Sequence, residues 1–144
     1  MNDKKPAEIT LVYLAGAING KSDIECKDWR ESVRSIFEKH DITVLDPMTR
    51  DYRGKEDENV DVIVEGDLED IKSCDFVLVN AENPSWGTAM ELVYAKQYGK
   101  ISVAFLSSAR VSPWLRYHTH SVCPTTGLAC DTILYLKSYD RTNS

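Results

Sequence analysis

The chain has 144 residues, of which 42% are hydrophobic and 28% are charged, a composition typical of an ordinary globular protein. Its formal net charge of −6 at pH 7 argues against a binder of duplex nucleic acid, because phosphate contacts need clustered Lys and Arg side chains. A chain of this length can bury one continuous core, so we expect a single domain over residues 1–144.

The cysteines and the apolar runs indicate the compartment. Four cysteines form no CxxC pair and no zinc-ribbon spacing: Cys26, Cys74, Cys123 and Cys130. Apolar residues lie beside each of them, so we expect reduced, partly buried thiols. The sequence has no charged-then-apolar leader, and no apolar run approaches the ~20 residues that span a bilayer. We therefore expect a cytoplasmic protein that binds no membrane.

Apolar runs alternate with segments of helical periodicity along the chain. After a polar start at 1–7, the near-continuous apolar run at 9–15 is typical of a strand buried on both faces. Ser22 and Glu25 form a capping box at the start of the next helix. In chain order, the elements predicted after that strand are a helix from Ser22 to near His40, a strand at 42–45, a loop or lid at 48–59, a helix over 60–71, a strand at 76–79, a helix ending at Gly99, a strand at 101–106, a short helix or ordered loop at 110–120, an edge strand at 121–123 and a helix at 125–139. This alternation predicts an α/β fold with a doubly wound, mainly parallel five-stranded sheet flanked by helices.

The strand at 76–79, the turn at 83–87 and the next helix form the unit on which α/β proteins place ligands. Glu91 lies in the first turns of that helix. Thr88 and Glu91 match a capping box, so one interpretation is that Glu91 only closes the helix end. The other interpretation is that Glu91 attacks an electrophilic carbon while a second carboxylic acid acts on the leaving group.

Asp67 is the candidate for the second carboxylate, because its helix leads into the strand that precedes Glu91. It lies at the edge of an apolar stripe, where an ordinary surface Asp is the alternative. Ser85 and Gly87 either hold a phosphate or a sugar hydroxyl or serve only the turn. Tyr13, near the end of the first strand, is either a site residue or part of the core.

His118 and His120 lie two positions apart, with no third ligand at a recognised metal-site spacing. A position at a ligand's edge or in a subunit contact fits them better than a metal site. The sequence contains no Walker motif, no GxSxG elbow and no GxGxxG fingerprint. We therefore expect neither a metal nor an organic cofactor.

Three segments together resemble the nucleoside 2-deoxyribosyltransferases and their nucleotide N-glycosidase relatives. They are VYLAG at 12–16, EGDLEDI at 65–71 followed by Cys74-Asp75, and PSWGTAMEL at 84–92 followed by Tyr94-Ala95 and Gly99-Lys100. The resemblance implies a flavodoxin-like domain that cleaves the bond between 2-deoxyribose and its base. It implies that Glu91 is the nucleophile that forms a covalent glycosyl enzyme, that Asp67 manages the proton on the leaving base, and that Tyr13 positions the nucleophile or the sugar.

The resemblance also implies a set of substrate-binding positions and an assembly. The positions are Gly16, Ala17, Asn19, Asp46, Ser85, Gly87, Met90, Ser112 and His118. Family members form oligomers in which the C-terminal region of a neighbour completes each site, and that region corresponds here to 112–120. The implied partners are therefore a small nucleoside or nucleotide and further copies of this chain, in a homodimer or larger homo-oligomer.

Two departures from the family pattern bear on the substrate and point in different directions. Transferases of free nucleosides carry an acid in the turn before the nucleophile, whereas this chain has Ser85, as 5'-monophosphate glycosidases do. However, Ala17 and Asn19 replace a Ser and an Arg that bind the phosphate in those glycosidases. The residues that can compensate are Lys21, Arg50, Arg53 and Arg116. The sequence thus predicts cleavage of a 2'-deoxynucleoside or its 5'-monophosphate, with transfer of the sugar to a base or to water; the alternative is a non-catalytic nucleotide-binding module.

Overall fold

The computed structural model describes residues 9–142, and these residues build an α/β fold around one parallel sheet. Its strands are β1 (Thr10–Ala15), β2 (Ile42–Leu45), β3 (Phe76–Asn80), β4 (Ile101–Phe105) and β5 (Ser121–Cys123). They pair in the order β2-β1-β3-β4-β5, and every pair is parallel. This is the flavodoxin-like order of a doubly wound sheet, which confirms the predicted fold class.

Helices connect the strands and cover both faces of the sheet. They are α1 (Asp23–Glu38), α2 (Val60–Ser73), α3 (Trp86–Gln97), α4 (Pro113–His118) and α5 (Thr126–Thr142). Side chains of α1 and α5 pack together in one hydrophobic core, and side chains of α2 and α3 pack in another. Parallel strands cannot be joined by a tight hairpin, so each connection crosses over the sheet. The crossover helices bury both of its faces.

Strand β1 contributes to both cores, because successive side chains of a strand point to opposite faces. Val12 and Leu14 pack with α1 and α5, whereas Tyr13 and Ala15 pack on the side of α2 and α3. All four side chains are fully buried. The pleat of β1 therefore directs Tyr13 towards the two helices that carry Asp67 and Glu91.

The predicted element boundaries agree with the structure to within a few residues, and the Ser22–Glu25 capping box is present. The segment expected to be a loop or lid at 48–59 contains two short 3-10 helices, Pro47–Arg50 and Glu56–Glu58. The segment at 110–120 is the short helix α4, whose first turn Ser112 caps by accepting a hydrogen bond from Trp114 N at 3.2 Å.

The predicted polar start at 1–7 lies outside the described residues, and the single domain over residues 1–144 stays a prediction. Among the helices at 9–142, none combines the length and the hydropathy needed to cross a bilayer.

Candidate active site

The site lies at the carboxyl ends of β1 and β3, the two central strands of the sheet. The chain leaves β1 towards β2 on one side and leaves β3 towards β4 on the other. In a doubly wound sheet this reversal opens a crevice between the two outgoing loops, and ligands bind there. The turn after β1, the turn before α3 and the 3-10 segment after β2 all border this crevice.

Ser85, rather than Thr88, caps α3. The Ser85 hydroxyl accepts a hydrogen bond from Thr88 N at 3.2 Å and donates one to Thr88 Oγ1 at 2.8 Å. The helix therefore starts at Trp86, and Thr88 already lies in its first turn. The interpretation of Thr88 and Glu91 as a capping box is wrong, because the hydroxyl of Ser85, three residues before Thr88, occupies the cap position. Glu91 is left without a capping role.

The Glu91 carboxylate is buried at the edge of the crevice. Among the described residues, its Oε2 atom has no hydrogen-bond partner. A Cβ atom at Gly87 would lie 3.6 Å from Glu91 Oε1, so the absence of a side chain there leaves this oxygen uncrowded. Burial raises the pKa of Glu91 to about 8, and the charge of Asp67 adds to the increase, while the Tyr13 hydroxyl and Arg30 oppose it.

Tyr13 lies beneath Glu91 and is fully inaccessible to solvent. Within residues 9–142 its hydroxyl has no partner at full hydrogen-bond geometry, yet Tyr13 and Glu91 lie close enough to shift each other's pKa. Burial, followed by the charges of Glu91 and Asp67, raises the pKa of Tyr13 well above its usual value. Tyr13 therefore stays protonated, with its hydroxyl near the Glu91 carboxyl group.

Asp67 lies on α2 at the same crevice, with its side chain 22% exposed. Its Oδ1 atom accepts a hydrogen bond from Arg50 Nη2 at 3.2 Å, and the same nitrogen bonds Asp70 Oδ2 at 2.8 Å. Burial raises the pKa of Asp67, and Arg50 opposes the increase. Asp67 is therefore not an ordinary surface residue, and it can hold a proton more readily than an exposed Asp.

The crevice forms a cleft of about 380 Å³. Six of the predicted site residues line it: Gly16, Asn19, Asp67, Ser85, Gly87 and Glu91. The cleft wall also includes residues that the sequence did not assign to the substrate site: Ile18, Tyr52, Glu56, Ile63 and Trp86. Two of these, Tyr52 and Glu56, lie in the 48–59 segment. The only signal for them in the sequence was a Tyr between two Arg in an otherwise polar stretch.

The family model for nucleoside 2-deoxyribosyltransferases matches residues 12–132. The chain belongs to the nucleoside 2-deoxyribosyltransferase family. This confirms the resemblance found in the sequence and identifies the chain as an enzyme of that family. No curated protein sequence matches the chain significantly.

Two solved structures share the fold of this deoxyribosyltransferase-family chain. The CMP N-glycosidase BcmB of Clostridium botulinum is 20% identical, with a TM-score of 0.62, over 86% of this chain and 98% of its own. A 2-deoxyribosyltransferase of Bacillus psychrosaccharolyticus is 19% identical, with a TM-score of 0.65, over 82% of this chain and 88% of its own. At these identities the likeness concerns the fold alone.

Asp46, a predicted substrate-binding residue of this family member, is hydrogen-bonded to groups of its own chain. Its Oδ1 atom accepts hydrogen bonds from Arg30 Nη1 at 3.2 Å and Met48 N at 2.9 Å, and its Oδ2 accepts one from Arg34 at 3.1 Å. The Asp46 side chain is 5% exposed and does not line the cleft. Its oxygens thus already accept three hydrogen bonds within the chain, and substrate binding by Asp46 stays a prediction.

Gly16 lies at the tightest approach in the family site. A Cβ atom there would be 2.7 Å from the Trp29 ring and 3.2 Å from Asn80 Cβ, so only glycine fits. The Gly16 carbonyl accepts a hydrogen bond from the buried Arg30 at 3.2 Å. Gly16 thus lets the turn after β1 approach α1 and β3 closely, in addition to lining the cleft.

Other residues predicted as substrate ligands of the family site lie outside this cleft. Ala17 and Met90 do not line it, and Met90 is 55% exposed on α3. Ser112 and His118 line a second, more apolar cavity of about 470 Å³ between α3 and α4. The two cavities share Pro84, Ser85 and Thr88. Within one chain, Ser112 and His118 are thus separated from the cleft that contains Glu91.

The two histidines of this region point to backbone groups. His118 Nδ1 lies 2.7 Å from Trp114 O, and His120 Nδ1 accepts a hydrogen bond from Ser102 N at 3.3 Å. In the part of the chain that the structure describes, no group of three or more His, Cys, Asp or Glu residues is arranged to hold a metal ion.

Proposed function

We propose that this chain cleaves the N-glycosidic bond of a 2'-deoxynucleoside 5'-monophosphate or of the corresponding nucleoside, through a covalent glycosyl–Glu91 intermediate. The observation that carries the proposal is the Glu91 carboxylate, which is buried, has no capping role and directs one oxygen to the cleft. A buried carboxylate without a structural partner is unfavourable for folding, and such groups concentrate at functional sites.

The chemistry divides between the two carboxyl groups. A Glu91 oxygen forms a bond to the anomeric carbon of the sugar while the bond from that carbon to the base breaks, and its electron pair moves to the base. The Asp67 carboxyl gives its proton to the departing base. Tyr13 keeps the attacking carboxylate in place through its hydroxyl. Water or a second base then attacks the glycosyl–Glu91 ester, and Asp67 accepts a proton from it.

The first turn of α3 supports the monophosphate as the substrate. The first N–H groups of a helix have no acceptor within the helix, and Ser85 satisfies only that of Thr88, so the N–H groups of Trp86 and Gly87 remain for an anion. Both residues line the cleft. The positive end of the helix dipole adds to this attraction.

The cationic candidates for a phosphate contact are reduced from four to two by the cleft geometry. Arg50 and Arg53 line the cleft, whereas Lys21 and Arg116 do not. Arg53 forms ion pairs with Asp23 and Asp51, and its side chain is 20% exposed. Of the two arginines, Arg53 is our candidate for the phosphate, since its partners lie away from the proposed reacting carboxyl groups.

The test is base release from a panel of deoxynucleosides and their 5'-monophosphates, followed by chromatography, for the parent and for Glu91→Gln and Glu91→Ala. Loss of a nucleophile is expected to reduce turnover by at least about 1,000-fold. Mass spectrometry of the quenched parent is expected to detect the added sugar, which the Gln variant cannot carry.

Two results contradict the proposal. If the variants release base as fast as the parent, Glu91 is not the nucleophile. If the parent releases no base from any member of the panel while a nucleotide raises its melting temperature, the chain is a binding module instead.

A free acceptor base added to the same assay separates transfer from hydrolysis. Transfer yields a new nucleoside or nucleotide, whereas hydrolysis yields the free sugar or sugar phosphate. Transfer requires the glycosyl enzyme to exclude water until the acceptor base arrives, so the product ratio measures how completely the cleft closes.

A further inference from the structure

Arg50 contacts two carboxylates, Asp67 and Asp70, at the edge of the cleft. It is the last residue of the 3-10 helix at Pro47–Arg50, and its side chain reaches across to α2. One nitrogen, Nη2, lies 3.2 Å from Asp67 Oδ1 and 2.8 Å from Asp70 Oδ2. The Arg50 side chain is 33% exposed and lines the cleft.

The shape of α2 at Gly66 is complementary to this side chain. Gly66 lies in the interior of the helix, where glycine is ~1 kcal/mol less favourable than alanine. A Cβ atom at this position would lie 3.3 Å from Arg50 Nε and 3.6 Å from both Cζ and Nη2. The guanidinium of Arg50 thus lies against the helix backbone at Gly66, between two carboxylates one turn apart. The room left by Gly66 and the carboxylates of Asp67 and Asp70 are thus both complementary to the Arg50 side chain.

The proposed reaction creates a need for this cation. When Asp67 gives its proton to the base, it becomes a carboxylate in a half-buried position beside Asp70. Burial disfavours that new charge, and the charge of Asp70 disfavours it further. Arg50 is bonded directly to Asp67 Oδ1 and is placed to compensate.

We propose that Arg50 is a positioning residue for the leaving base: it holds Asp67 at the cleft and stabilises the Asp67 carboxylate that forms as the base departs. This inference rests on the proposed function. The bond from the anomeric carbon to the base breaks, its electron pair goes to the base, and the proton of Asp67 goes to the base. The negative charge left on Asp67 is shared with Arg50. When Asp67 takes up a proton in the second half of the reaction, the contact with Arg50 weakens again.

The same contacts argue against Arg50 as the phosphate ligand. Each arginine is paired with two carboxylates, but only the partners of Arg50 include Asp67, the proposed acid, so a phosphate at Arg50 would lie beside the reacting carboxyl group and compete with it for the cation. Arg53 carries its charge on the opposite side of the 48–59 segment, against Asp23 at the start of α1. The two arginines therefore serve different ends of the substrate.

The test uses pairs of 5'-monophosphate substrates whose leaving bases differ in their need for a proton. dGMP and its 7-methyl derivative form a purine pair, and dUMP and its 5-nitro derivative form a pyrimidine pair. In Arg50→Gln, kcat is expected to fall by about 100-fold for the ordinary base, which needs the acid, and by less than about 5-fold for the activated base. Because Arg50 acts through Asp67, KM is expected to change less than kcat.

Two further variants separate charge from placement. Arg50→Lys keeps a cation near Asp67 and is expected to recover at least tenfold of the lost kcat on the ordinary base. Asp70→Asn leaves Arg50 and Asp67 intact but removes the second anchor, so a smaller loss with the same dependence on the base is expected. Melting temperatures identify any variant that fails to fold, and Asp70→Asn then carries the test alone.

Arg53→Gln is the matched control, because it removes a charge from the same cleft but has other partners. Arg53→Gln is expected to reduce activity equally for the ordinary and the activated substrate of a pair. The inference is overturned if Arg50→Gln reduces kcat equally for the ordinary and the activated substrate of a pair, or if it changes KM alone. It is also overturned if the loss of kcat in Arg53→Gln depends on the base in the same way. If the parent releases no base from any pair, the proposed function itself fails, which is a different result from an active parent that is indifferent to Arg50.

Discussion

A carboxyl group that is buried next to another acid is costly to ionise, and Glu91 is in that situation. Burial raises its pKa to about 8, and Asp67 increases the effect. Tyr13 and Arg30 oppose the increase only in part. The ionised form of Glu91, which is the attacking form, is therefore unfavourable for the folded protein, as is typical of functional groups.

The first prediction concerns the stability of Glu91→Gln. A carboxyl group whose folded pKa is raised destabilises the protein as pH rises above its usual value of 4.5, and fully so above about 8. The variant is therefore expected to differ little from the parent at about pH 5 and to exceed its free energy of unfolding by up to ~5 kcal/mol at about pH 8.5. Urea unfolding at both pH values measures the difference.

Glu25→Gln is the control for this measurement. Its backbone and side-chain hydrogen bonds with Ser22 lower the pKa of Glu25, so its stabilising contribution is present at neutral and high pH and is lost as pH falls through the lowered pKa. The Gln variant at position 25 is thus expected to be less stable than the parent by a similar amount at both pH values. A Glu91→Gln effect that is equal at both pH values would contradict the predicted burial of charge.

The second prediction concerns Ser85, which caps α3 at the proposed phosphate end. Asp and Asn are both good caps, so Ser85→Asp and Ser85→Asn are expected to retain the helix. Only Asp places a negative charge next to the phosphate. We expect Ser85→Asp to raise KM for the monophosphate by more than about tenfold and that for the nucleoside by less than about threefold, measured by initial rates. If Ser85→Asp and Ser85→Asn raise KM equally, or if KM rises equally for the monophosphate and the nucleoside, the proposal that the substrate's phosphate binds near Ser85 is contradicted.

At the scale of elements, the segment between β2 and α2 is anchored at several points. Asp46 caps its first 3-10 helix and is itself held by Arg30 and Arg34 of α1. Arg50 reaches α2, and Arg53 reaches the start of α1. The segment is therefore attached to both helices that flank β1 and β2, and its arginines reach the cleft from fixed supports.

The third prediction concerns the contact between this segment and α2. In Gly66→Ala, the gain of ~1 kcal/mol in helix stability is expected to offset the loss of the close Arg50 contact, so the melting temperature is unchanged. The new Cβ atom would lie 3.3 Å from Arg50 Nε, so the guanidinium must shift slightly, which disturbs its contact with Asp67. We expect kcat on an ordinary base to fall by about tenfold.

Gly127→Ala is the matched control for this variant. Gly127 lies in α5, and a Cβ atom there meets nothing within 4 Å. It is expected to raise the melting temperature and to leave activity unchanged. If Gly66→Ala behaves in the same way, the complementarity between α2 and Arg50 has no role in the reaction.

At the scale of the whole molecule, large apolar side chains are exposed on α3 and α4. Trp86 is 84%, Met90 55%, Trp114 77% and Tyr117 69% exposed. Exposed apolar patches of this kind mark interaction sites. Of these four, Trp114 lines the second cavity, where Ser112 and His118 lie apart from the cleft of their own chain, and Trp86 lines the cleft itself. This arrangement fits the expectation that a second copy completes the site.

The fourth prediction is that the protein is a homodimer or larger homo-oligomer whose assembly needs this surface. Trp114→Lys is expected to dissociate it and to reduce activity by more than about tenfold, because a charge at an interface core is strongly unfavourable. Light scattering after size exclusion measures the assembly. Tyr135→Lys, on α5 at the other face of the sheet, is the control, since its side chain is 67% exposed and far from α3. A fully active parent monomer would contradict the prediction.

Much of the fold was predictable, because it depends on signals that lie close together in the sequence. The apolar runs predicted the strands, and the Ser22–Glu25 pair predicted the start of α1. The alternation of elements predicted the parallel sheet. Six of the twelve site candidates line one cleft, and their roles stay predictions.

Only the tertiary structure decided the questions that depend on distance in space. Ser85 and Thr88 can both cap a helix, and the path of the chain out of β3 placed Ser85 at the cap and left Glu91 uncapped. The hydrogen bond between Arg30 and Asp46, 16 residues apart, is likewise set by the fold. Arg50 and Asp67, 17 residues apart, show no periodic signal. Burial and ion pairing are set by which surfaces meet, so the sequence determined the chemical groups and the fold determined which of them face one another.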